Sequence, residues 1–207
     1  MPCTKKGHIM TNTTPLTNSR SWRVVDIVVA AVLGVACGLI FFVWNTVGYA
    51  WFKAMDALTP GLGGLATGIW LLGGILGMMV IRRPGAAVFV ELLGAITSAL
   101  LGNIWGVETI YSGIAQGLGA ELVFLVTRYR SFRLPTAAMA GAMAGAGAWC
   151  LELFTSGNLQ MGAAFLVIYL VCLMISGAVL AGGVGWGLTR ALARTGVLSR
   201  FASGRDI

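Results

Sequence analysis

Two acids and two amides stand in or beside runs too apolar to hold them without a partner: Glu91, Glu152, Asn103 and Gln116. In surroundings that exclude water, such side chains must be paired or must face a wet cavity where they can read a solute. Trp149 precedes Glu152 by three positions and so shares its helix face. An aromatic plane beside a carboxylate suits a flat cationic or amidine-like ligand; a buried structural pair is the competing reading. Trp70 lies eight residues into its own run, about 12 Å deep at ~1.5 Å per residue, which is too deep for an interfacial tryptophan. Glu91, Ala95, Ser98, Gly102 and Trp105 fall near one line of a helix at ~100° per residue. That small and polar stripe either walls a cavity or packs tightly against a neighbouring helix.

The stretch QGLGAELVFLVTRYR, from Gln116 to Arg130, poses the same question in one segment. Glu108, Ser112 and Gln116 share a face, whereas Glu121 lies five residues beyond Gln116, about 140° around the helix at ~100° per residue. The two therefore serve different places. Gln116, near mid-segment, is the candidate for a cavity, and Glu121 is expected to tie helices together near the basic end.

The elements that must position these groups are set by the solvent. The chain has 207 residues, 57% hydrophobic and 10% charged, against roughly 25% charged in an ordinary soluble domain. Six apolar runs, 24–44, 62–81, 85–102, 109–127, 135–154 and 162–188, each approach or exceed the ~18 residues that suggest a spanning helix. The last is long enough to require a tilt or a bend, with Gly182-Gly183 as the expected place. Pro84-Gly85 and Leu134-Pro135 punctuate two connections, where a first-turn proline is tolerated. Of the 14 lysines and arginines, 13 fall in the N-terminal arm, the alternate loops and the C-terminal tail, and Lys53 stands alone on the other side. That is a strong positive-inside pattern.

The expected architecture is an all-α integral membrane protein, a six-transmembrane-helix bundle in the plasma membrane with both termini cytoplasmic. Residues 1–23 form a flexible cytoplasmic arm without the apolar centre of a signal peptide, 24–190 the membrane domain, and 191–207 a basic tail. The opposite face, with Asp56, Glu108 and Glu152 against Lys53, has the sign that favours a cation. The 17 residues 45–61, carrying Trp51 and Phe52, read either as a gate over the mouth or as an interfacial loop anchored by aromatics. Trp22, Trp51 and Trp186 read as interfacial belt residues.

Several function classes are disfavoured. Basic residues that recur at alternate loops follow topology and do not form a nucleic-acid face. The one histidine, His8, lies in the arm, so the spans carry no histidine base, no zinc motif and no Ser-His pair. Cys3, Cys37, Cys150 and Cys172 have neither metal-ligand nor disulfide spacing. The glycine clusters lack the lysine of a phosphate-binding loop. What remains is recognition and passage of a small solute, without a cofactor and without catalysis.

Several blocks taken together resemble a known family. Arg82-Arg83-Pro84-Gly85-Ala86-Ala87 with Glu91, Leu100-Leu101-Gly102-Asn103, Gln116-Gly117-Leu118-Gly119-Ala120-Glu121, and Ile175-Ser176-Gly177 followed by Thr195-Gly196-Val197-Leu198 resemble YkoE-type proteins. These are S components of energy-coupling-factor (ECF) transporters, assigned to thiamine or its hydroxymethylpyrimidine precursor. The resemblance implies a compact six-helix subunit that captures its vitamin from outside and works with a transmembrane coupling subunit and two cytoplasmic ATPases. It further implies docking on the coupling subunit through a small-residue ridge of the first helix, here Ala30, Gly34 and Gly38. On this reading Glu152, Glu91, Asn103 and Gln116 bond the aminopyrimidine edge, and Trp70 and Trp149 supply stacking planes. A hydroxymethylpyrimidine-specific subunit, a self-sufficient carrier and a membrane scaffold remain the alternatives.

Overall fold

The computed structural model describes residues 21–204. The expectations for the N-terminal arm before Ser21, including Cys3 and His8, lie outside the described residues, as does the tail beyond Gly204. Among the described residues there is no strand. Helices α1 (Val24–Leu58), α2 (Leu72–Ile81), α3 (Ala86–Leu100), α4 (Glu108–Val126), α5 (Leu134–Thr155), α6 (Ala163–Ser176) and α7 (Val184–Arg194) make the bundle. A 3₁₀ segment, Leu62–Leu71, leads directly into α2, and a π-helical turn, Gly177–Gly183, joins α6 to α7. The result is six rods, of which five are long and apolar enough to cross a membrane. The sixth, α3, has only 15 residues.

The first helix corrects one expectation. Residues 45–58 are not a loop: α1 runs unbroken for 35 residues. Nothing between Asn45 and Leu58 breaks a helix, and the stop comes where Pro60 forces Thr59 into an extended conformation, φ −152° and ψ 124°. The connection to the next rod shrinks to the turn at Thr59, Pro60 and Gly61, which Asp56 Oδ1 fastens by accepting the Gly61 N–H at 2.7 Å. Trp51 and Phe52 therefore sit on a helix and not in a loop.

The rod Leu62–Ile81 is the axis of the molecule. All ten residues of α2 are buried, which explains why its sequence, LGGILGMMVI, is apolar on every side. A 3₁₀ helix rarely exceeds three or four residues, yet this one has ten. Tertiary hydrogen bonds hold it: the Ser176 hydroxyl accepts the Gly68 N–H and donates to the Leu65 carbonyl, both at 2.8 Å. A side chain on Gly68 would strike the Ser176 carbonyl, so only glycine permits this approach.

Small residues set the remaining spacing. The buried face of α5 is Ala137, Ala140, Gly141, Ala144, Gly145 and Ala148, and it meets α4 on one side and the π turn on the other. At the second contact Gly141 and Gly177 face each other so closely that a Cβ on either would strike the other's carbonyl. The bend expected at Gly182-Gly183 is realised as the π turn that contains them.

Ala30, Gly34 and Gly38 are all buried, and they face α3: a side chain at Gly34 would meet Leu93, and one at Gly38 would meet Thr97. The ridge expected to dock on a coupling subunit thus packs on α3 within this chain. The close approach that the ridge permits is used inside the chain, and no partner can reach it without parting α1 from α3.

The arginine-rich end is closed by specific polar contacts. Asp26, wholly buried, accepts from Arg23 Nη2 at 2.7 Å and from Arg83 Nε at 3.2 Å, so it ties the start of α1 to the turn between α2 and α3. Glu121 accepts the N–H groups of Gly85 at 2.7 Å and Ala87 at 3.0 Å, and the Tyr129 hydroxyl at 2.9 Å. A carboxylate at the amino end of α3 satisfies donors that have no partner within the helix. Glu121 thus joins α4 to α3, as its angular offset from Gln116 implies. Beyond α7 the chain folds back: Leu198 and Phe201 are buried, and the Ser203 hydroxyl donates to the Val80 carbonyl at 3.0 Å.

Candidate functional site

A cavity of about 480 Å³ opens at the end of the bundle opposite the arginines. This lies within the ~300–1,000 Å³ of small-molecule sites. The end of α1, the 3₁₀ segment, α3, α4, α5 and α6 all contribute to its wall.

Its floor is built around Glu91, which is 1% exposed. The transition from 3₁₀ to α geometry at Leu71-Leu72 frees backbone N–H groups, and Glu91 Oε2 accepts that of Gly74 at 2.5 Å. Gly73 and Gly74 leave room for it: a Cβ on Gly73 would lie 3.0 Å from the same oxygen. Gln116 reaches the floor from α4. With its amide nitrogen turned inward it donates to Glu91 Oε1 at 3.3 Å and to the Trp70 carbonyl at 3.2 Å, while its oxygen accepts from the Ser112 hydroxyl at 2.6 Å. That orientation satisfies every one of these groups.

The side wall is aromatic. Trp70 stands edge-on to Trp105 at 5.7 Å between ring centroids, and Trp105 edge-on to Tyr49 at 5.3 Å. Tyr49 stacks with Phe52 at 6.1 Å, Phe52 meets Tyr169 edge-on at 6.2 Å, and Tyr169 stacks with Phe165 at 5.5 Å. Each ring therefore fixes its neighbour, and together they offer faces to a flat or cationic guest. Hydrogen bonds lock two of them. Trp70 Nε1 donates to Asn45 Oδ1 at 2.8 Å, and Asn45 Nδ2 donates to the Ser98 hydroxyl at 3.0 Å. The Tyr169 hydroxyl donates to Glu152 Oε2 at 2.6 Å.

The charge is one-sided. Asp56, Glu91, Glu108 and Glu152 line the cavity against the single ammonium of Lys53, which lies 5.6 Å from the Tyr49 ring centroid. A concave site of this sign attracts cations.

The structure brings Trp70, Glu91, Gln116 and Glu152 into one cavity, and Glu91, Ala95, Ser98 and Trp105 of the expected stripe line it as well. Asn103 stands behind the wall. Its Oδ1 accepts the N–H groups of Trp105 at 3.1 Å and Gly106 at 2.7 Å, and its Nδ2 donates to Thr109 at 2.9 Å, so it shapes the turn that presents Trp105. Trp149 is not on the wall: Nε1 donates to the Leu166 carbonyl at 3.1 Å and joins α5 to α6. This corrects the pairing of Trp149 with Glu152 as one recognition unit. The ring beside Glu152 is Tyr169. Asn45, Tyr49 and Phe52 were missed because residues 45–58 read as a connection. At helical spacing Asn45, Tyr49, Phe52 and Asp56 form one stripe, and that periodicity was the available signal.

Three comparisons bear on this arrangement. Residues 25–147 match a family described as the permease component of an ABC-type cobalt transport system. Over 192 residues, 91% of this chain and 93% of the relative, the chain is 35% identical to a putative HMP/thiamine permease protein, YkoE, of Bacillus subtilis (strain 168). A crystal structure of an S component of an ECF transporter superposes with a TM-score of 0.76 at 34% identity, covering 90% of this chain and 93% of that one. With this likeness along nearly the whole chain, the protein is a multi-pass membrane transport component, not an enzyme, and it belongs to the YkoE-type S components of ECF transporters.

Proposed function

We propose that this chain captures thiamine from outside the cell and hands it to a coupling subunit and two ATPases for uptake, with its termini and arginine-rich end in the cytoplasm. One observation carries the reading: a water-accessible cavity walled by linked aromatic rings bears four carboxylates against one ammonium. Thiamine joins an aminopyrimidine, whose edge a carboxylate and an amide can bond, to a permanently cationic thiazolium. The floor formed by Glu91 and Gln116 suits the first, and the aromatic faces with Asp56 and Glu108 nearer the mouth suit the second. In this assignment Trp70, Trp105 and Tyr169 supply stacking surfaces. Asn103 and Trp149 act indirectly, through Trp105 and through the contact between α5 and α6.

The positive-inside distribution supports a mouth that faces outward. The printed name of the Bacillus relative, which pairs HMP with thiamine, supports this ligand class. The cobalt of the family description fits the cavity less well, because its four carboxylates are spread around the wall and, among the described residues, no three His, Cys, Asp or Glu side chains converge where they could hold a metal ion.

Isothermal titration of the purified chain with thiamine and with hydroxymethylpyrimidine tests the reading. Tight binding of thiamine, and binding of the fragment at least about tenfold weaker, is the expected result for a site that uses the cation. Equal affinities would transfer the assignment to the pyrimidine fragment. Binding of neither would leave a scaffold role, and sustained uptake by vesicles holding this chain alone would indicate a self-sufficient carrier.

A further inference from the structure

The arginine-rich end holds a second concavity, of about 1000 Å³, separate from the cavity just described. Arg82 comes to it from the end of α2, Arg130 and Arg133 from the turn between α4 and α5, and Arg190 from α7. No carboxylate lines it among the described residues. Positive-inside topology places arginines at this end of the bundle, but it does not require that four of them, from three separate elements, converge on one groove.

Two aromatic rings organise the groove. The Arg82 guanidinium carbon lies 4.4 Å from the Phe132 ring centroid, and that of Arg190 lies 4.3 Å from the Trp186 ring. Stacking fixes the plane of a guanidinium, whose N–H groups form a fork matched to phosphate oxygens; Arg82 gives its Nε–H to the Met79 carbonyl at 3.4 Å and so serves to frame the groove. Phe132 is itself stacked on Phe124 of the core at 5.8 Å, so the first platform is rigid. The groove also has an apolar flank. Leu134 lines it and is 42% exposed. A concave guanidinium cluster with an exposed leucine at its edge matches an amphiphile with an anionic head.

We propose that this groove seats the phosphate of an anionic phospholipid headgroup between Arg130, Arg133 and Arg190, with the acyl chains leaving past Leu134. The phosphate offsets charges that would otherwise repel one another, and the lipid braces the turn between α4 and α5 against α7.

The test uses the full chain, delipidated in neutral detergent and titrated with dioleoyl phosphatidylglycerol, with dioleoyl phosphatidylcholine, or with inorganic phosphate, and read by native mass spectrometry. A neutral micelle presents no bilayer surface charge, so only direct contacts count. Phosphatidylglycerol is expected to be retained at least tenfold more than phosphatidylcholine, at roughly the strength of direct basic contacts, and to be unaffected by millimolar phosphate. The double variant Arg130→Gln with Arg190→Gln is expected to lose retention about 30-fold, at ~1 kcal/mol per arginine. Arg194→Gln with Arg200→Gln removes the same charge outside the groove and is expected to change retention less than about twofold. Equal retention of the two lipids, or equal losses in the two double variants, would overturn the proposal. Displacement of the lipid by inorganic phosphate would show that the groove takes a free anion and would overturn the lipid assignment. The comparison of the three ligands on the unmodified chain stands even if the groove variant fails to fold.

Discussion

The carboxylate of Glu91 on α3 accepts the backbone N–H of Gly74, 17 residues earlier in the chain, at 2.5 Å. This bond sits where 3₁₀ geometry gives way to α geometry, and it leaves the carboxylate facing the cavity floor. Glu91→Gln keeps the shape and can present its amide oxygen to Gly74 while removing the charge. Thermal stability should hold or rise, because a neutral amide costs less to bury. Thiamine affinity should fall about 10- to 100-fold, the value of one to two charge-assisted hydrogen bonds. Titration calorimetry beside a melting curve separates the two effects, and unchanged affinity would remove Glu91 from the site.

Trp105 and Trp149 should behave oppositely. Trp105→Ala opens the aromatic wall between Tyr49 and Trp70 and should cost roughly 5- to 30-fold in affinity, the worth of ~1–2 kcal/mol of ring contact. Trp149→Phe keeps an aromatic ring, though a smaller one, and loses the bond to the Leu166 carbonyl, so affinity should stay within about twofold while stability falls by about 1 kcal/mol or more. Fluorescence titration with melting of both variants checks the pair; loss of affinity in the second would return Trp149 to the wall.

Glu121 tests the closure of the arginine-rich end. Glu121→Ala strands the N–H groups of Gly85 and Ala87 and should cost about 1–3 kcal/mol or more in stability. The protein that remains folded should bind with near-normal affinity, since Glu121 does not line the cavity. A large affinity loss at intact fold would contradict this division of labour.

Gly141→Ala should be among the most damaging single methyl additions. Its Cβ meets the backbone of Gly177, which cannot swing aside as a side chain would, and overpacking of this kind costs about 1–3 kcal/mol or more. Gly187→Ala is the control: nothing lies within 4 Å of its Cβ, and alanine favours a helix by ~1 kcal/mol, so stability should hold or rise. Equal melting temperatures for the two would refute the tight contact between α5 and the π turn.

Much of this arrangement was legible in the amino-acid sequence, because lipid restricts the backbone to a few solutions. The six apolar runs, the placement of Gln116 and Glu121 on different faces, and the stripe from Glu91 to Ser98 follow from hydropathy and helical periodicity; α3 ends at Leu100, and Trp105 reaches the cavity from the turn that Asn103 shapes. What periodicity left out has a common cause: it gives a direction on one helix but does not say which neighbour lies there. A spacing of three leaves Trp149 and Glu152 roughly 60° apart, enough for one to meet the backbone of α6 and the other to meet Tyr169. The ridge at Ala30, Gly34 and Gly38 announced a close approach without naming α3 as its object. Tyr169 carried no mark of its own, being one aromatic in an apolar run until the fold sets it against Glu152. Asn45 and Thr46, polar residues after an apolar run, suggested a loop where the chain in fact keeps its helical hydrogen bonds.

The unbroken length of α1 has a mechanical meaning. At ~1.5 Å per residue its 35 residues extend about 52 Å, well past a hydrocarbon layer of ~30 Å. One stiff strut thus carries the Asp26 clamp at its foot and Tyr49, Phe52 and Asp56 at its crown. A tilt imposed on the foot arrives at the rim of the cavity without passing through any flexible joint.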